Sequence, residues 1–173
     1  MVDSIFAFHA ANAVDLLRRP LMVGILQNRP SITSVIAHVL QRSTNWKIFS
    51  FDSFEHAREV LSEQPMHVFL THWHIGDDHG DDSMIMCLVR RLKEIRGGPG
   101  VGAGPLLAAT INQDDRFLVD KEHLADLYDL WFLIPFSPSH EIIGPAISAR
   151  LFQMLPQHFS DDEKYGCGAP IVY

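Results

Sequence analysis

Five short apolar runs recur along this chain, and the stretches between them carry apolar residues at helical spacing. The runs are Leu21 to Leu26, Trp46 to Phe51, Val68 to Thr71, Leu106 to Ile111 and Leu130 to Ile134. Each is too short for a helix and nearly free of charge, which is the signature of a strand covered on both faces. Between the first two, Ile32, Val35, Ile36, Val39 and Leu40 fall at i, i+3, i+4, i+7 and i+8, one stripe of a helix over 31–41. Ser53 is placed to cap a helix carrying Phe54, Ala57, Val60 and Leu61, which Pro65 ends. Ile85, Leu88, Val89, Leu92 and Ile95 mark a third helix, and residues 117–127 a fourth. Ser137 and Pro138 open a fifth, which Gly144 and Pro145 should kink or delay.

Strands alternating with helices imply a parallel sheet with helices on both faces. The expected fold is therefore α/β, a (βα)₅ flavodoxin-like sheet of five parallel strands. An extra N-terminal helix precedes it, with Ile5, Phe6, Val14, Leu16 and Leu17 on its apolar side and Pro20 as its stop. The domain plan is an N-terminal helical extension over 1–19, one domain over 20–155 and a polar tail over 156–173. In such folds ligands bind beyond the carboxyl ends of the strands. Those ends are Gln27 and Asn28, Thr71 and His72, Thr110, and Ile134 and Pro135.

Composition narrows the function classes. The formal net charge is −7, the opposite of the basic excess that nucleic-acid binders show. Arg90, Arg91, Lys93 and Arg96 are a local basic group, read as the solvated face of a helix. Two cysteines, Cys87 and Cys167, form no disulfide framework, so a reducing, cytoplasmic setting is expected. The first residues have no basic start, and no apolar run approaches the length of a membrane span.

The residues at the strand ends resemble the receiver domain of bacterial response regulators, over roughly 20–155. The family ends its first strand in an acidic pair, then a proline that opens a helix; this chain reads Gln27, Asn28, Arg29, Pro30. The family's third strand ends in the phosphoacceptor aspartate, with a glycine eight residues later. Counting back from Gly80 gives His72, and one residue of loop slippage would give Thr71 instead. Thr110 matches the hydroxyl residue that ends strand four. Strand five should end in Lys-Pro-Phe, and here it ends Ile134, Pro135, Phe136. The resemblance also implies a cis bond between Ile134 and Pro135.

In the family the carboxylates hold Mg²⁺ and the lysine and hydroxyl bind phosphoryl oxygens. Mg²⁺ requires oxygen ligands, and a transferring phosphoryl group requires cations around it. Two amides, an imidazole and an isoleucine bring no negative charge to hold Mg²⁺ and no lysine for the phosphoryl group. The resemblance thus implies a degenerate phosphorylation pocket of Gln27, Asn28, His72, Thr110, Ile134 and Pro135. It implies no catalysis and no cofactor. The expected role is a protein-interaction module of a signalling pathway, with a homodimer as one form. The expected interaction surface is Trp131, Phe132 and Phe136, with Phe6 and Phe8 on the N-terminal helix. Neither nucleic acid nor membrane is expected as a partner.

One segment supports a rival reading. Thr71, His72, Trp73, His74, Asp78 and His79 resemble the metal loop of the metallo-β-lactamase fold. Imidazoles and a carboxylate at such spacing bind Zn²⁺ and activate a bound water. A hydrolase would use His72, His74, His79 and Asp78, with His123 or His140 as a further ligand. His79 lies two residues later than that motif allows, and the sequence before it reads α/β. The remaining histidines, His38 and His56, read as surface residues, and Met84 and Met86 as core filling.

Overall fold

The computed structural model describes residues 20–64, 66–73, 84–95, 105–117, 121–134 and 140–158. Five strands, β1 (Met22–Leu26), β2 (Lys47–Phe51), β3 (Val68–His72), β4 (Leu106–Asn112) and β5 (Leu130–Ile134), form one sheet. Its order is β2-β1-β3-β4-β5 and every pairing is parallel. The helices are α1 (Pro30–Ser43), α2 (Phe54–Glu63), α3 (Met84–Ile95), α4 (Lys121–Leu127) and α5 (His140–His158). A 3₁₀ turn over Gln113–Phe117 follows β4.

The helices divide between the two faces. Ile32, Ile36 and Leu40 of α1 and Ile143, Ile147, Leu151 and Leu155 of α5 pack on Val23, Ile25, Val68, Leu70, Leu106, Ala108 and Phe132. On the opposite face α2, α3 and α4 contribute Ala57, Leu61, Ile85, Leu88, Leu92 and Leu124, against Leu26, Phe69, Leu107 and Ala109. The central strands β3 and β4 are buried at every position, as continuous apolar runs require. The edge strand β5 instead alternates buried and exposed residues.

Local chemistry sets the helix ends. Pro30 occupies the first turn of α1, where its missing N–H has no role inside the helix. Thr44 closes α1 by donating its hydroxyl to Leu40 O at 2.7 Å, while accepting from Trp46 N at 3.1 Å. Ser53 caps α2, accepting from His56 N at 3.1 Å.

Three expectations from sequence need correction. Residues 117–127 are not one α-helix: Phe117 belongs to the 3₁₀ turn, where Asn112 Nδ2 donates to Asp115 Oδ2, and the described part of α4 is Lys121–Leu127. Gly144 and Pro145 do not delay the last helix, which is already formed at His140 and runs through them and past Pro156 to His158. A Cβ on Gly144 would lie 2.7 Å from Val39 Cγ1, so this glycine permits the close approach of α5 to α1. Pro145 forfeits one helical hydrogen bond, and burial of Ile143, Ile147, Leu151 and Leu155 holds the segment helical. Met84 is exposed on α3 rather than filling the core, whereas Met86 is buried. The predicted N-terminal helix, the connector over 97–104 and residues 159–173 lie outside the described residues.

Candidate functional site

Side-chain alternation decides what meets at the carboxyl end of the sheet. Gln27 directly follows β1, on the same alternation as Val23 and Ile25, which face α1 and α5. His72 continues the series Val68, Leu70; Thr110 continues Leu106, Ala108; Ile134 continues Leu130, Phe132. Four of the six pocket residues therefore share one face. Thr71 follows Phe69 on the other face, so between the two candidate positions it is His72 that lies beside Thr110. The register agrees, pairing His72 with Thr110 across β3 and β4.

The cluster is buried and polar without charge. His72 and Thr110 are fully buried, Gln27 is 7% exposed and Ile134 is buried. The Thr110 hydroxyl donates to Gln27 Oε1 at 2.5 Å, joining β4 to the end of β1 across the intervening strand β3. Gln27 Nε2 is buried and has no hydrogen-bond partner among the described residues. Trp73 N donates to Thr110 O at 2.9 Å, which carries the β3–β4 pairing past the pocket. Asn28 is exposed and stands apart from this cluster. Pro135, and with it the geometry of the Ile134–Pro135 bond, lies outside the described residues.

Sequence reading missed Asn112. It lies two residues beyond Thr110 on the same face of β4, pairs in register with Ile134 and binds Asp115. Its signal was the extra polar residue after the apolar run Leu106 to Ile111, at a strand end where a site is expected. Elsewhere, Asp52 at the end of β2 is held below its ordinary carboxyl range, chiefly by its 2.9 Å hydrogen bond to His56. Burial pushes the Tyr128 phenol up.

Only His72 of the set His72, His74, His79 and Asp78 falls within the described residues, and its side chain is enclosed in the sheet. Among the described residues no three His, Cys, Asp or Glu side chains are grouped to hold a metal.

The expected interaction surface divides in two. Trp131 and Leu133 are 39% and 56% exposed, whereas Phe132 is only 6% exposed and belongs to the core. Phe132 is thus corrected from surface to core: alternation along β5 turns it toward α5. Leu133 takes its place on the exposed face. Phe136 lies outside the described residues.

Comparison with known protein families finds no family that matches this sequence, and no curated protein is similar to it. Solved structures are informative about the fold. A response regulator signal receiver domain from Bermanella marisrubri is similar with a TM-score of 0.56 at 16% identity, over 78% of this chain and 97% of that one. The receiver domain of nitrogen regulatory protein C gives 0.54 at 12% identity, over 82% of this chain and 98% of that one. A chemotaxis response regulator of Vibrio cholerae gives 0.51 at 12% identity, over 79% and 99%. The chain has a receiver-like, five-stranded flavodoxin-type fold. No described helix is long and apolar enough to cross a membrane.

Proposed function

We propose that this chain is a signalling module that acts by protein association, without phosphotransfer. The carrying observation is the buried Thr110–Gln27 hydrogen bond at the position where a receiver binds its phosphoryl group. Thr110 gives its proton to an amide oxygen of the chain itself, and the surrounding Gln27, His72 and Ile134 bring no carboxylate and no lysine. Oxygen ligands bearing negative charge are what Mg²⁺ requires, and cationic donors are what a phosphoryl group requires. A protein partner in a signalling pathway, possession of a non-enzymatic role and a cytoplasmic setting all follow from this reading. Nothing observed favours the hydrolase over it.

The test uses the full chain with Mg²⁺ and either acetyl phosphate or beryllofluoride. No phosphoprotein should appear by mass spectrometry, and no bound fluorine resonance should grow in. Saturable, Mg²⁺-dependent beryllofluoride binding would show that the pocket retains receiver chemistry.

A further inference from the structure

The two edges of the sheet differ in how they are defended. An edge strand exposes backbone N–H and C=O groups that can pair with another chain, and natural edges are blunted by charge, proline or cover. On one edge, β2 begins with the exposed Lys47, whose Nζ lies 5.0 Å above the Phe49 ring. On the other, β5 is Leu130, Trp131, Phe132, Leu133, Ile134, with no charge and no proline inside it. Among the described residues, β5 pairs with β4 alone. The described helix on the Trp131 and Leu133 face, α4, packs on α3, and Trp131 and Leu133 stay 39% and 56% exposed.

Alternation also fixes which backbone groups are open. Asp129 N donates to Leu107 O, so Trp131 and Leu133 turn their backbone groups toward β4 as well. Leu130, Phe132 and Ile134 turn theirs away from β4, to an edge that pairs with no other strand among the described residues. We propose that β5 pairs antiparallel with β5 of a second copy of this chain, centred on Phe132, to give one continuous sheet. This rests on the association reading above and names its partner.

In that register Phe132 meets its equivalent and exchanges both hydrogen bonds with it. Trp131 then lies across from Leu133 of the second copy, and Leu133 across from Trp131, so each exposed apolar side chain covers another. Aromatic–aliphatic cross-strand pairs of this kind stabilise a sheet. The electrostatics permit it: β5 is uncharged, and a pairing centred on Phe132 keeps the two Asp129 carboxylates from facing each other. The arrangement is two-fold and closes on itself, so it stops at a dimer.

Sedimentation velocity on the full chain provides the test. The wild type should sediment as a dimer at tens of micromolar. Leu133→Lys and Trp131→Glu should each weaken it by roughly tenfold or more by placing charge on the edge. Each variant should keep the wild-type circular dichroism spectrum, and its melting temperature should fall only by what dimer formation contributes. Mixed in equal amounts, the two variants should recover a heterodimer, because the introduced charges are opposite in sign and face each other in this register. A monomeric wild type, a dimer indifferent to Leu133→Lys, or a mixture that stays monomeric would each overturn the pairing. None of these outcomes bears on phosphoryl chemistry, which fails separately through beryllofluoride binding.

Discussion

The two ends of the sheet use buried polar groups in opposite ways. At the amino end His67 and Asp129 work as staples between strands. Met22 N donates to His67 Nδ1 at 3.0 Å, and His67 N returns a bond to Met22 O at 2.8 Å. Leu106 N donates to His67 O, so one residue ties β1 and β4 to the start of β3. Asp129 does the same for β5, accepting from Leu107 N at 2.7 Å while its own N–H donates to Leu107 O. At the carboxyl end Thr110 and Gln27 also form a buried bond, yet Gln27 Nε2 is left over. His67 and Asp129 complete the backbone pairing at their end, whereas Gln27 at the other exceeds what pairing needs, as expected for the end at which such folds keep their sites.

Three substitutions would break or sharpen this contrast. The largest effect should come from His72→Asp, which introduces the acidic residue that receiver domains carry without the cations that accompany it. His72 is fully enclosed, so the carboxylate would be buried without a counter-charge, at a cost of about 3–5 kcal/mol. Burial raises the folded-state carboxyl above its unfolded value, so the folded state binds the extra proton. Stability is then highest at low pH and falls as pH rises above the ordinary carboxyl range. Urea unfolding across pH reads this directly, and adding Ile134→Lys should return part of the loss. A small, pH-independent effect would mean that water or a cation reaches the pocket.

Next in size is His67→Leu at the amino end. It removes the acceptor of Met22 N and leaves that donor without its bond, costing about 1–3 kcal/mol by chemical denaturation. Hydrogen exchange at Met22 should quicken with it. The smallest effect belongs to Thr110→Val, which keeps the branched shape and removes the hydroxyl, costing about 1 kcal/mol. Adding Gln27→Met should recover much of that loss, because removing both partners of a buried bond is far milder than orphaning one. If Thr110→Val costs more than His67→Leu, the carboxyl-end bond is a staple after all, and the contrast between the ends fails.

Much of the fold was legible because local pattern and tertiary role agree. The runs Val68 to Thr71 and Leu130 to Ile134 became strands within a residue of their expected limits. The α1 stripe faces the core through Ile32, Ile36 and Leu40, and Ser53 caps α2 as its position requires. The errors share a cause. Gly144 and Pro145 favour a break locally, but packing of α5 on α1 and the sheet outweighs that preference. Phe132 and Leu133 are equally apolar, and only the pairing of β5 with β4 decides which of them meets α5.

The candidate site divides in the same way. The sequence by itself determined which side chains stand at the strand ends: two amides where the family has acids, histidine at the third strand, threonine at the fourth, isoleucine at the fifth. It also determined that these positions carry no carboxylate and no lysine. The tertiary structure alone decided that Gln27, His72, Thr110 and Ile134 share a face while Asn28 is exposed and Thr71 turns away. It alone joined Thr110 to Gln27, 83 residues apart in the chain. The physical reason is that strand alternation is a two-residue period whose phase is set only when neighbouring strands lock their register. Composition and spacing specify the parts, and register specifies which of them can touch.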